Sequence, residues 1–271
     1  MRSKFVVIFC ALCVVVPGIW FGTTTAKADT GVTVLTVGPN PNVVSAPMST
    51  ELQGVMCKAP NTCKSVSYQT SGWLSSVVNS GVSALSAAIA ATPGKKAVMG
   101  FSQGALVASE WLKRYAGSAT SPAASDMYFV LFGNPQHPLN GRNTLQKTGT
   151  PTPYTKYTTV DISREYDGMS DYPNDVGNTL AVATSQDGYT SIHPYYTGVD
   201  PNASSNLVKR TGNYTFVLVP TSYLPRYERM RNRGLGKLAE QGNATWKPVV
   251  DRGYNRAGFT QLGNTTVVPV R

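Results

Sequence analysis

Residues 98–106 read Val98-Met99-Gly100-Phe101-Ser102-Gln103-Gly104-Ala105-Leu106: a short apolar run, a Gly-x-Ser-x-Gly turn and the start of a helix. A serine hydroxyl is a weak nucleophile, so it must stand exposed on a tight strand-to-helix turn where a base can reach it. Gly100 and Gly104 lack a Cβ, which lets strand and helix approach closely and permits a strained backbone at Ser102. The helix start aims its N–H groups, that of Gln103 first, at a developing oxyanion. Ala105, Ala108, Leu112 and Tyr115 then keep a helical face until Gly117.

Outward from this turn, β-like and helix-like stretches alternate. Gly31 to Val37 is rich in β-branched residues and predicts a first strand, followed by the turn formers Gly38-Pro39-Asn40-Pro41-Asn42. This loop is the expected place for a second oxyanion donor. Pro39 and Pro41 have no N–H, which leaves Asn40, or Gly38, to supply it. A short strand is expected near Val66–Tyr68. Leu74, Val78, Val82, Leu85 and Ile89 keep helical spacing up to Thr92-Pro93-Gly94.

Met127 to Phe132 is a continuous apolar run, as expected of a strand buried on both faces. Residues 138–153 read as loop, and Tyr157 to Tyr166 as another strand, with Asp167 at its end. A short helix is expected around Val176–Ala183, a strand at Tyr214–Val219, and partial helix from Leu224 to Gln241, interrupted by Gly234 and Gly236. The alternation predicts an α/β fold with a largely parallel sheet covered on both faces.

The N-terminus stands apart. Arg2 and Lys4 precede an apolar run from Phe5 to Phe21, and Ala26-Lys27-Ala28 has the form of a cleavage site. Residues 1–28 therefore read as a secretory signal peptide, leaving 29–271 as one domain that is secreted or associated with the cell envelope. Losing Arg2, Lys4 and Lys27 lowers the formal net charge from +10 to +7. Eight Lys or Arg against three acids lie between Pro220 and Arg256. For an exported chain this basic segment suggests an anionic envelope surface rather than nucleic acid, with a merely solvated basic face as the alternative.

Cys57 and Cys63 close a small Pro/Asn loop, and such an even pair in an exported chain reads as a disulfide. No metal, phosphate-loop or dinucleotide pattern is visible, so no cofactor is expected.

A serine nucleophile needs a base, and the base an orienting acid. The chain has two histidines. His193 follows both the serine and a candidate acid, and is favoured over His137, which follows Gly133-Asn134-Pro135. Asp126 precedes its strand, Asp161 falls inside one and Asp187 sits in a turn-like Gln-Asp-Gly. Asp167 comes off a strand's C-terminal end, where active-site groups of open α/β sheets collect, and Asp171 four residues on is its rival.

Gly-Phe-Ser-Gln-Gly at 100–104, Phe-Gly-Asn-Pro at 132–135, Glu-Tyr-Asp-Gly-Met-Ser-Asp-Tyr-Pro at 165–173, and His193 with Tyr195-Tyr196 behind it carry a specific likeness. With Leu224-Pro225 and the segment from Trp246 to Tyr254, the chain resembles the PE-PPE domain, a mycobacterial family of serine hydrolases with an α/β-hydrolase fold, similar in style to cutinases. The resemblance implies a triad of Ser102, Asp167 or Asp171, and His193. It implies an esterase or lipase acting on short- to medium-chain acyl esters. An acyltransferase on envelope glycolipids, or an envelope-binding protein that kept the fold without the activity, are the alternatives. One departure from the family is expected: a signal peptide in place of a PE or PPE helical leader. The chain also lacks a Gly-Gly-Thr-Gly loop after the first strand, and a cutinase-like disulfide around the acid.

Overall fold

A computed structural model of the chain describes residues 31–42 and 46–269. The signal peptide expected at 1–28 lies outside the described residues.

The elements run β1 (Thr33–Val37), a 3₁₀ segment (Met48–Cys57), β2 (Thr62–Ser65), α1 (Leu74–Ala90), β3 (Lys96–Phe101) and α2 (Gln103–Tyr115). They continue with β4 (Met127–Phe132), α3 (Arg142–Leu145), β5 (Thr159–Arg164), α4 (Thr179–Ser191), β6 (Leu207–Thr211), β7 (Tyr214–Val219), α5 (Pro225–Asn232), α6 (Gly236–Asp251) and β8 (Thr260–Gln261). The strands form one sheet in the order β2-β1-β3-β4-β5-β7-β6-β8. The six from β2 to β7 are mutually parallel, and only β6 and β8 pair antiparallel. Parallel strands need crossover connections, and α1 and α2 supply two of them.

Alternation along the strands sorts side chains onto two faces. Leu35, Val37, Val98, Phe129 and Leu131 meet Val82, Leu85 and Ile89 of α1 and Ala105, Ala108, Trp111 and Leu112 of α2. Each fully buried side chain of this size contributes about 1.5–3 kcal/mol. This face therefore clamps α2, and with it the turn at Ser102, onto the sheet. The opposite face carries Val34, Met99, Phe101, Val130, Phe132 and Ile162. Among the described residues, no crossover helix contributes to its core cluster. Leu52, Val55 and Met56 of the 3₁₀ segment, Tyr196 and Val199, and Leu262 and Val268 of the tail close it instead. A third cluster, with Tyr166, Ala181, Ile192, Leu224, Val250 and Tyr254, packs α4, α5 and α6 together.

Five local expectations are corrected, the first being the loop at 138–153, which holds the one-turn helix α3 (Arg142–Leu145). The edge strand is Thr62–Ser65 rather than Val66–Tyr68, because the register pairs Thr33 with Thr62 and Thr36 with Ser65. The helix expected around Val176–Ala183 starts at Thr179, where Asn178 Oδ1 accepts from Ala181 N, and runs to Ser191, so Asp187 is helical rather than in a turn. β6 was not expected; it forms a hairpin with β7 through Gly212 and Asn213. The basic segment forms two helices, and α6 continues to Asp251 with Pro248 inside it. Cys57 and Cys63 are disulfide-bonded, with 5.3 Å between their Cα atoms, and tie the 3₁₀ segment to β2.

Candidate active site

Ser102 sits between β3 and α2 with φ 52° and ψ −111°. For a residue with a Cβ this backbone costs about 1–3 kcal/mol and needs its surroundings to hold it. They do so closely. Ser102 N donates to Phe132 O at 3.0 Å, and Leu106 N to Ser102 O at 3.1 Å. A Cβ on Gly104 would collide with the carbonyls of Val37 and Gly38, so only glycine lets the helix start against β1.

The Ser102 Oγ lies 2.8 Å from His193 Nε2, and His193 Nδ1 lies 2.9 and 3.0 Å from the two oxygens of Asp167. An ionised carboxylate only accepts, so the imidazole proton sits on Nδ1 and Nε2 keeps a lone pair facing the serine hydroxyl. His193 follows directly on α4, its N–H donating to Gly188 O at 2.9 Å. Its ring packs between Tyr189, stacked at 5.7 Å, and Phe101, tilted at 5.7 Å. Gly133, at φ 54°, gives it room: a Cβ there would press on the Phe101 ring and on His193 Cε1.

Asp167 and His193 are buried while Ser102 keeps partial exposure. Asp167 Oδ1 also accepts from Met169 N at 2.8 Å and Ser170 N at 3.2 Å, and Oδ2 from the Tyr196 hydroxyl at 2.7 Å. Burial by itself would raise the Asp167 carboxyl. The neighbouring His193, with its hydrogen bond, and those from Tyr196 and Met169 outweigh it and hold the carboxyl below the ordinary value.

Asp171, the rival acid, is committed elsewhere. It takes Arg256 in a bidentate pair at 2.6 and 2.7 Å, Asn140 Nδ2 at 2.9 Å and Tyr166 N at 2.8 Å. His137 is locked into the turn after β4, its Nδ1 accepting from Leu139 N and Asn140 N at 3.3 and 3.2 Å. Nearby, and equally buried, Asp161 Oδ2 accepts from Tyr214 at 2.6 Å and from Asn134 at 2.8 Å.

Gln103 N is at the first position of α2, where an α-helix leaves its N–H groups without intrahelical acceptors. Its side chain lies 3.3 Å from the Tyr68 hydroxyl, which donates to Gly38 O at 2.7 Å. Tyr68 thus braces the loop after β1 against the serine turn. Asn40 lies in that loop with its Oδ1 accepting from Asn42 N at 3.0 Å.

Tyr196, Tyr68, Tyr189 and Arg256 were not singled out for these roles by sequence reasoning. Tyr195 and Tyr196 are neighbours of the same type, one exposed and one fully buried, and only the packing tells them apart. Among the described residues, no cluster of three or more His, Cys, Asp or Glu is arranged to hold a metal ion.

The model of the family described as "PE-PPE domain" matches residues 50–255. That span contains Ser102, Asp167 and His193, but β1 and the loop with Asn40 precede it. Three similar proteins come from Mycobacterium tuberculosis (strain ATCC 25618 / H37Rv). Esterase PE16 is 30% identical over 182 residues, covering 61% of this chain and 34% of the relative. Diacyltrehalose acyltransferase Chp2 is 29% identical over 229 residues, covering 76% and 64%. SL1278 acyltransferase Chp1 is 30% identical over 218 residues, covering 70% and 53%. The chain thus spans between about a third and two thirds of the length of these relatives.

Proposed function

The chain belongs to the PE-PPE domain family, and on that premise we propose that it is an exported serine esterase or lipase, hydrolysing short- to medium-chain acyl esters through an acyl-enzyme on Ser102. The observation that carries this reading is the continuous hydrogen-bonded line from Ser102 Oγ through His193 to Asp167, at 2.8 and 2.9 Å.

In this reading His193 Nε2 takes the serine proton as Oγ attacks the ester carbonyl. The imidazolium that forms is stabilised by the Asp167 carboxylate, which stays ionised. The Gln103 N–H, with one from the loop at 38–42 (Asn40 or Gly38), faces the oxyanion of the tetrahedral intermediate. Collapse expels the alcohol, which takes the proton back from His193 and leaves the acyl group on Ser102. Water, activated by the now neutral imidazole, then attacks the acyl-enzyme and releases the acid.

A second reading differs only in the last step: a sugar hydroxyl replaces water, and the acyl group passes to an envelope glycolipid. The two acyltransferases among the relatives favour it. Turnover of p-nitrophenyl esters across acyl lengths, with fluorophosphonate labelling of wild type and Ser102→Ala, tests the shared acyl-enzyme. Product analysis with trehalose or glycerol as acceptor separates the two readings. Absence of labelling in the wild type would favour a non-catalytic envelope-binding protein.

The substrate's setting in an anionic envelope surface is part of the proposal. It is supported by the basic residues of α5 and α6 lying beside exposed Leu235, Leu238 and Trp246, a combination suited to an anionic lipid interface. Sedimentation with anionic against neutral vesicles tests it.

A further inference from the structure

We infer that Tyr196 is a positioning residue: its buried hydroxyl fixes the plane of the Asp167 carboxylate and so keeps the His193 imidazole aimed at Ser102. The inference rests on the Ser102–His193–Asp167 reading above and assigns its control to a fourth side chain.

The phenol has one proton to give and three polar neighbours. Arg164 N–H donates to the hydroxyl oxygen at 3.1 Å, and Ser170 Oγ lies 3.2 Å away. Asp167 Oδ2 lies at 2.7 Å. A backbone N–H and an ionised carboxylate each have a fixed role, donor and acceptor. The tyrosine proton therefore goes to Asp167, and Ser170, which can do either, donates to the phenol oxygen.

A carboxylate turns readily about its last torsion, because that sp³–sp² rotation has broad minima. One oxygen of Asp167 is anchored by backbone N–H groups of Met169 and Ser170. The other has the Tyr196 hydroxyl, and two anchors on opposite oxygens define a plane where one does not. The phenol is itself fully buried. Its ring sits 5.3 Å from Phe101 and 5.4 Å from Phe132, and its carbonyl accepts from Leu52 N at 3.2 Å.

A built-in control exists in the same molecule. Tyr214 donates to Asp161 at 2.6 Å, with both residues buried, and no serine belongs to that pair. Deleting either hydroxyl removes a phenol–carboxylate bond from the interior, yet only one deletion touches the imidazole at 193.

Other charged groups face this region. Arg164 holds the carbonyls of Ile192 and Tyr195, Arg256 neutralises Asp171, and Glu51 bonds Thr197. Glu51 needs its own control, because burial, opposed by the Thr197 hydrogen bond, pushes it up to about 7, inside the range of a pH profile.

The test is Tyr196→Phe in the full chain, which keeps the ring and its packing. It is read as kcat, KM and the pH profile of p-nitrophenyl ester hydrolysis, beside Tyr214→Phe and Glu51→Gln. Misplacing a catalytic group by about 1 Å can cost about 100-fold in rate, so an imidazole whose carboxylate is free to turn should lose about 10- to 100-fold. For Tyr196→Phe we expect kcat to fall by that factor with KM changed by less than about twofold, as for loss of a transition-state interaction. A carboxylate with one donor fewer is a stronger base toward the imidazolium. The acid limb of kcat/KM should therefore move up by about half a pH unit, and do so in the Glu51→Gln background as well. Tyr214→Phe should leave both readouts at wild type.

Wild-type kcat and limb in Tyr196→Phe, or an equal change in Tyr214→Phe, overturns the inference while leaving the Ser102 reading standing. Failure of the wild type to label with fluorophosphonate removes that reading, and this inference with it. If Tyr196→Phe does not fold, replacement of Tyr196 by 3-fluorotyrosine, a stronger donor, takes its place. The limb should then move down, and an unmoved limb overturns the assignment.

Discussion

The chain has two histidines, each buried near an aspartate and against an aromatic ring, and their surroundings differ in one decisive way. His193 lends Nδ1 to Asp167 and leaves Nε2 facing the Ser102 hydroxyl. His137 spends Nδ1 on two backbone N–H groups of its own turn and rests its ring against Phe216 at 5.1 Å. The first imidazole holds Nε2 2.8 Å from a hydroxyl. Burial lowers the second below its ordinary 6.5, outweighing the attraction of Asp161 and Asp171, so it stays neutral. The same residue types therefore form a hydrogen-bonded line to a serine in one place and a structural plug in the other. What separates them is where the free nitrogen points.

The sharpest way to break this comparison is Ser102→Ala or His193→Ala. Either should cost about 10⁶-fold in kcat, the scale seen when a serine–histidine pair loses a member. His137→Gln should keep kcat within a few-fold. Ester turnover on the purified variants checks all three, and a comparable loss in His137→Gln would undo the assignment.

Next in size is the pair of acids. Asp167→Asn should act above all on turnover, lowering kcat by about 10⁴-fold through the wrong imidazole tautomer. Asp171→Asn should do the reverse. It halves the bidentate partner of a mostly buried Arg256, which should cost about 3 kcal/mol in denaturant unfolding, with kcat nearly unchanged.

Smaller still is Tyr214→Phe. Its lost hydrogen bond to the buried Asp161 should lower stability by about 1–3 kcal/mol, measured by chemical denaturation, with ester turnover intact.

The smallest effect is a pH dependence. Because the folded state depresses His137, the unfolded chain binds the extra proton first as pH falls. Stability from this residue is complete above about pH 6.5 and is lost from there down toward the lowered folded value. The denaturation midpoint of the wild type should fall across that window. His137→Gln should flatten the fall, and an unchanged slope would mean that the folded state carries a charged ring.

Much of this was legible in the residues because local patterns encode local backbone. Gly100-Phe101-Ser102-Gln103-Gly104 calls for a strand, a strained turn and a helix, and β3, Ser102 and α2 supply them. The helical spacing from Leu74 to Ile89 and the apolar run from Met127 to Phe132 were readable for the same reason. Less was legible where partners decide. Thr62–Ser65 is a polar tetrapeptide that becomes a strand by adding to the edge of β1, and nothing in its own pattern separates it from Val66–Tyr68. The cover of the second face escaped reading because it is irregular chain drawn from three distant segments, with no period to detect.

The sequence by itself determined the main strands and helices around the serine turn, the turn itself and the short list of partners: two histidines and a few aspartates. Tertiary structure alone brought Ser102 within 2.8 Å of a ring 91 residues away. It also gave Asp167 to that ring and Asp171 to Arg256, and turned Tyr196 inward while its neighbour faces solvent. Periodicity and turn chemistry are properties of a few consecutive residues, and a sequence displays them directly. Which buried charge meets which partner is settled by the packing of distant segments and the cost of leaving a polar group unpaired, and both exist only once the chain has folded.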